Sequence, residues 1–280
     1  MPDPAEEKKE AAGPAFAAGP QNVEVGVTVR AGFAMWRAAI GPLMWLAAIG
    51  LIASVPLSAL MALTGFDPLS PASYTPLAVL GAALALILGL PFSIGSAAGS
   101  LVVLRELVQF GEVRTGTFSA FVSGYRFFWR VLGAWLAMGA VVAAFAAPAG
   151  FAWFALDGSA PHRQTIAVAL ASAAALASAI LWVRWAPATA VVVLEERRPI
   201  EAIRRAAALT RGRFWRVLGV LVVFAAVSIG AQVLAALVGG APETVQILTM
   251  VIEVAFLGPL SAALGFALYL GLARTERPKA

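Results

Sequence analysis

Gln246, Thr249 and Glu253 stand at i, i+3 and i+7 in a strongly apolar stretch, so a helix there carries all three on one face. Glu253 lies ten residues after Glu243, which at 1.5 Å per residue places it about 15 Å along that helix. A carboxyl group at such depth in hydrocarbon is costly and is a functional candidate by default. Gln232, near the far end of the preceding apolar stretch, is positioned to join the set. Two chemistries fit these residue types. One is a proton- or cation-responsive site in a cavity that opens outward. The other is a protonated or hydrogen-bonded Glu that locks helices together.

Basic residues form a second set. Arg184 sits far along an apolar run between Trp182 and Trp185, where it can snorkel to lipid phosphates or meet an anionic partner. Arg197, Arg198, Arg204, Arg205, Arg211, Arg213 and Arg216 outnumber Glu195, Glu196 and Glu201 in the segment between two apolar runs. Each such residue near an anionic leaflet contributes about 1 kcal/mol of attraction. The partners implied are membrane lipids with anionic headgroups, and a membrane-protein partner is a further candidate. A pI near 10.2 would suggest nucleic acid in a soluble protein, but here the charge distribution gives a topological reason for it.

Enzyme chemistry finds few residues to use. Cysteine is absent and His162 is the single histidine, so thiol nucleophiles, Cys-held metals and Ser–His triads are not expected. The aspartates are Asp3, Asp67 and Asp157, none inside an apolar run, and GxSxG, HExxH and Walker patterns are missing. No metal, no cofactor and no enzymatic activity are expected.

The elements that must position these side chains follow from hydropathy. Hydrophobic residues make up 61% of the chain and charged residues 12%, too few charges to cover a soluble core. About 20 apolar residues cross the roughly 30 Å hydrocarbon layer as a helix. Blocks rich in Ala, Leu and Val without strict alternation predict an all-α bundle of six spans, near 40–64, 76–104, 128–155, 164–194, 214–238 and 244–273. The second and fourth exceed the bilayer and should be tilted, kinked or extended beyond it. Residues 1–21 read as a disordered cytoplasmic tail with no cleavable signal, and 275–280 as a short tail.

The three loops joining spans one to two, three to four and five to six hold one basic residue between them, Arg163. Eighteen others lie in the N-terminal segment, 105–130, 195–216 and the C-terminal end. Basic residues stay cytoplasmic during insertion, so both termini are expected inside and the short loops outside.

The hexapeptide Phe-Trp-Arg-Val-Leu-Gly occurs at 128–133 and again at 214–219, each time opening an odd span. A weaker copy is Met35, Trp36, Arg37, Ile40 and Gly41. Trp36, Arg37, Trp129, Arg130, Trp215 and Arg216 thus form three Trp-Arg elbows, with Trp suited to the headgroup level and Arg to phosphates. An amphipathic segment precedes each elbow. The first carries Val25, Val29, Phe33 and Trp36. The second has Phe118, Phe121, Val122 and Tyr125 after a capping Thr117, and the third has Ile200, Ile203 and Leu209 opposite Arg204 and Arg205. Each even span carries a proline, Pro91, Pro187 or Pro259. The pattern predicts a membrane domain over 22–274 of three parallel two-helix repeats, near 22–113, 114–197 and 198–274, with interfacial helices on the cytoplasmic side. Gly95 and Gly99 with Ser96 and Ser100, and the Ala/Ser run at 167–180, predict close helix packing within the monomer.

The stretch from Pro199 to Gly219, with Leu209, Thr210, Gly212, Phe214 and Trp215 in place, resembles the membrane domain at the front of some bacterial glycerophosphodiester phosphodiesterases and related stand-alone six-span proteins. The resemblance covers about twenty residues. It implies a bacterial inner-membrane protein, an origin to which the bias of seventeen Arg to three Lys also points. The phosphodiesterase catalytic domain would follow the last span and is not in this sequence, so that activity is not expected. The function expected is lipid or partner binding in envelope organisation or regulation. The alternative is a small transporter or lipid translocator with Glu253 in a polar pathway.

Overall fold

The computed structural model describes residues 24–52, 75–155, 163–239, 245, 248–249 and 251–275. The N-terminal tail, most of the three expected outer loops, Gln246 and the last five residues lie outside this set. Every described element is helical. In chain order they are α1 (Val25–Ala38), α2 (Ile40–Ile52), α3 (Pro76–Phe110), α4 (Thr117–Tyr125), α5 (Phe128–Ala155), α6 (Arg163–Trp185), α7 (Ala188–Leu194), α8 (Pro199–Thr210), α9 (Phe214–Gly239), a π-turn (Glu253–Leu257) and α10 (Gly258–Arg274). Five helical segments are long and apolar enough to cross a membrane, and α1 with α2, bent by 87° at Ala39, makes a sixth if the pair is one span. Helices are what hydrocarbon permits, because each backbone N–H and C=O must find a partner within the chain.

Two helices are central. Over half of the most apolar window in α3 and in α10 is buried (56% and 61%), against 17% or less in α5, α6–α7 and α9, whose sides face outward. Leu104 of α3, Leu209 of α8, and Phe266, Leu268 and Leu272 of α10 are wholly or nearly buried together, and Met35 and Leu43 close the core from α1 and α2. Lipid tails are as apolar as leucine, so hydrophobicity alone does not drive helix against helix here; close van der Waals packing does.

Small residues set those contacts. Gly124 of α4 rests on the backbone of α3 at Gly95 and Gly99, and a Cβ there would collide with the Gly99 nitrogen and the Gly95 oxygen. Gly32 of α1 similarly admits Leu264 of α10. On α4 the small residues, with Phe121, make the contact to α3. Phe118, Val122 and Tyr125 are exposed while Ala120 and Gly124 are buried, because in lipid the large apolar side chains can face the solvent and the small ones must meet the neighbour. Thr117 is the first helical residue and not the cap; the N-cap is Gly116, and no side chain caps the helix. On α8 the buried residues are Ala202, Ala206, Leu209 and Thr210, with Ile200 exposed.

The Gly95/Gly99 stripe thus packs inside the monomer as expected. The Ala/Ser run of α6 departs from expectation: Ala167 and Ala174 are buried but most of the run is exposed. Its neighbour α5 covers only one side.

The three prolines of the even spans meet the helix in three ways. Pro91 stays inside α3. Pro187 separates α6 from α7 at a turn. Pro259 follows the π-turn, in which the Gly258 N–H donates to the Glu253 carbonyl oxygen. Proline has no N–H and its ring crowds the carbonyl four residues earlier, so each site must loosen the regular ladder.

Candidate functional site

A half-open cavity of about 580 Å³ is walled by α2, α3, α5, α7, the π-turn and α10. Glu253 reaches it from the first residue of the π-turn and is exposed there. π-turns concentrate at functional sites because the wider turn redirects side chains and carbonyls. On α3 the lining residues Gly89, Ser93, Ser96 and Ser100 follow helical spacing along one stripe, and on α10 Gly258, Ser261, Ala262 and Gly265 do the same. Thr189 of α7 and Trp135 of α5 complete the polar part of the wall.

The hydroxyls are oriented by the backbone. Ser96 Oγ donates to the Leu46 carbonyl, tying α3 to α2, and Ser100 Oγ donates to the Ser96 carbonyl at 2.9 Å. Ser261 Oγ donates to the Gly258 carbonyl at 2.7 Å. Trp135 Nε1 donates to Thr189 Oγ1 at 3.3 Å, which fixes the indole against α7. A serine hydroxyl has one proton and two lone pairs. Where the proton is given to a carbonyl, the lone pairs are what remains for a ligand.

The prolines converge on this cavity. Pro91-Phe92-Ser93, Pro187-Ala188-Thr189 and Pro259-Leu260-Ser261 repeat one pattern, proline followed two residues later by a hydroxyl residue, and Ser93, Thr189 and Ser261 all line the wall. The same pattern also stands at Pro56-Leu57-Ser58, Pro68-Leu69-Ser70, Pro71-Ala72-Ser73 and Pro242-Glu243-Thr244, so the sequence alone does not single these hydroxyl residues out. The prolines alone gave only the kinks.

Of the residues expected to act together, Glu253 lines the cavity. Gln232 is exposed on α9, a helix that contributes no described residue to the wall; Thr249 is half-buried and is not part of it. Arg184 is exposed, makes no ion pair with Glu253, and offers its backbone carbonyl to Thr210 Oγ1 at 3.3 Å.

The elbows divide. Trp129 and Trp215 are 77% and 78% exposed, as suits side chains that face lipid or headgroups. Trp36 is instead half-buried and makes edge contacts with Phe33 and Phe256. Arg37, Arg204 and Arg216 are exposed. Arg130 donates to the Glu196 carbonyl at 2.7 Å, Arg126 pairs with the Glu196 carboxylate at 3.0 Å, and Arg205 lies 3.4 Å from Glu195. Glu195 also pairs with Arg197 and accepts from the Tyr269 hydroxyl at 3.2 Å. Glu195 and Glu196, just after α7, thus gather Arg126 and Arg130 from around the start of α5, Arg197, Arg205 of α8 and Tyr269 of α10.

Among the described residues no three of His, Cys, Asp and Glu converge as a metal site. The apolar helices fit a multi-pass membrane protein, with a half-open, largely apolar cavity that carries one carboxyl group and several hydroxyls. The chain matches no protein-family model, no curated protein and no solved structure.

Proposed function

We propose that this chain is a non-enzymatic protein of a bacterial cytoplasmic membrane that binds a membrane-borne amphiphile, such as a lipid, in the cavity beside Glu253. The carrying observation is the carboxyl group and hydroxyl wall of that cavity inside an otherwise apolar bundle. Polar groups in hydrocarbon are expensive unless a partner meets them. Both termini are cytoplasmic, and the exposed Trp and Arg of the elbows set depth against anionic headgroups.

The architecture in this reading is three parallel two-helix repeats. Its support is a joint that recurs between successive units. Gly133 at the end of one Phe-Trp-Arg-Val-Leu-Gly receives Pro199 at the start of α8, and Gly219 at the end of the other receives Val25 at the start of α1. The Pro-x-Ser/Thr triplets at 91–93, 187–189 and 259–261 each place a hydroxyl residue on the same cavity wall.

Purification in native lipid followed by mass spectrometry of retained molecules tests the binding. Gly265 lines the cavity with open space where a Cβ would stand, so Gly265→Leu fills it without displacing a neighbouring backbone. The expected result is a species retained by the parent protein and missing from the variant. An identical lipid profile from both would overturn the proposal.

Transport is the second reading, favoured by the helix breaks at Pro187 and at the π-turn, which give two walls a place to bend. It predicts a pH-dependent flux in proteoliposomes that Glu253→Gln abolishes; flux unchanged in that variant would exclude it.

A further inference from the structure

We infer that the polar end of the cavity's ligand is a cation bearing N–H groups, that is, a primary ammonium on an amphiphile. This rests on the binding reading above and adds the chemical class. The ionisable side chain on the wall is Glu253, and none of the described lining residues is Lys, Arg or His. The hydroxyls of Ser96, Ser100 and Ser261 already donate to the carbonyls of Leu46, Ser96 and Gly258, so each faces a ligand as an acceptor. The Trp135 N–H is likewise committed, to Thr189 Oγ1.

An anionic phosphate end would face the Glu253 carboxyl group with no described lining cation to offset it, and would find only the Ser93 and Thr189 hydroxyls as uncommitted donors. It belongs instead to the exposed arginines at the other polar surface of the molecule. An ammonium supplies both the charge that Glu253 needs and the donors that the hydroxyl oxygens need. The cavity, about 580 Å³, exceeds what a lone metal ion fills, and its Ala, Gly and Leu surfaces accept part of an alkyl chain.

The test uses the full chain in phosphatidylcholine nanodiscs, with empty discs as background, and equilibrium dialysis of three radiolabelled probes: dodecylammonium, dodecyltrimethylammonium and dodecyl sulfate. Dodecylammonium should show saturable, protein-dependent binding. Loss of a charge-assisted hydrogen bond in Glu253→Gln should weaken it by about tenfold or more, and Gly265→Leu should remove it. The trimethylated probe, which keeps the charge and loses the N–H groups, should bind more weakly, and dodecyl sulfate should show no excess over empty discs.

Equal uptake of the ammonium and sulfate probes, both lost in Gly265→Leu, would overturn the assigned class while leaving the cavity as a binding site. Equal affinity for the methylated and unmethylated cations would overturn the N–H requirement. Binding unchanged in Glu253→Gln would overturn the role of the carboxylate. No protein-dependent uptake of any probe, from discs in which the protein is folded by circular dichroism, would sink this class and count against the binding reading itself.

Discussion

Pro199 packs its ring against Gly133, so closely that a Cβ on the glycine would stand 2.9 Å from Pro199 Cγ. The same relation joins Gly219 to Val25, at 2.8 Å to Cγ2. Gly41, which follows the first elbow's Arg37 by four residues where the other two glycines follow theirs by three, has open space where its Cβ would stand. A leucine at 133 or 219 must therefore push apart two packed helices, whereas a leucine at 41 meets nothing. Gly133→Leu and Gly219→Leu should each destabilise by about 1–3 kcal/mol, and Gly41→Leu should be neutral or slightly stabilising. Thermal unfolding in detergent, followed by circular dichroism, reads the difference; equal effects at all three positions would refute the joint.

The turn before the third elbow depends on backbone handedness. Gly212 has φ of +75° and nothing near a would-be Cβ, so Gly212→Ala isolates the conformational cost, about 1–2 kcal/mol. Glu196 sits at φ of +53° without being glycine. Glu196→Gly should therefore relieve strain and keep the carbonyl that Arg130 binds while losing only the exposed pair with Arg126, so the melting midpoint should fall less than for Gly212→Ala.

Ser96 joins the cavity wall to the packing of α2. Ser96→Ala removes its bond to the Leu46 carbonyl and should cost about 0.6 kcal/mol, the average for such bonds in a membrane protein. Gly50→Leu should cost more, because its Cβ would lie 2.9 Å from Ser96 Oγ. A double variant, Ser96→Ala with Gly50→Leu, should recover part of the loss if that contact is the cause.

Orientation can be read chemically because the chain has no cysteine. Single cysteines at Ser70, Ser159 or Ala241 should react with an impermeant maleimide added to intact cells. Cysteines replacing Arg114 or Arg198, both exposed, should react only after permeabilisation. Reaction of either arginine replacement in intact cells would refute the assigned orientation.

Trp129 and Trp215 project outward while Trp36 packs between Phe33 and Phe256. Trp36→Ala should therefore lower stability more than Trp129→Ala or Trp215→Ala, by about 3 kcal/mol if the void stays open. Chemical denaturation in mixed micelles compares the three.

What the sequence determined by itself is the all-helical bundle and where its apolar helices lie, because a run of some twenty apolar residues is a local property that hydrocarbon reads directly. Glu253 stood out for the same reason: an acid is conspicuous in such a run wherever its helix turns. The tertiary structure alone decided which faces meet. In lipid both the inside and the outside of a bundle are apolar, so the hydrophobic periodicity that orients a soluble helix carries little information here. Hence Phe118, Val122 and Tyr125 turned outward and Gly124 turned in. Hence also Gln232 lies outside the cavity that Glu253 lines, while Ser93, Thr189 and Ser261, distant in sequence and modest in type, line it together.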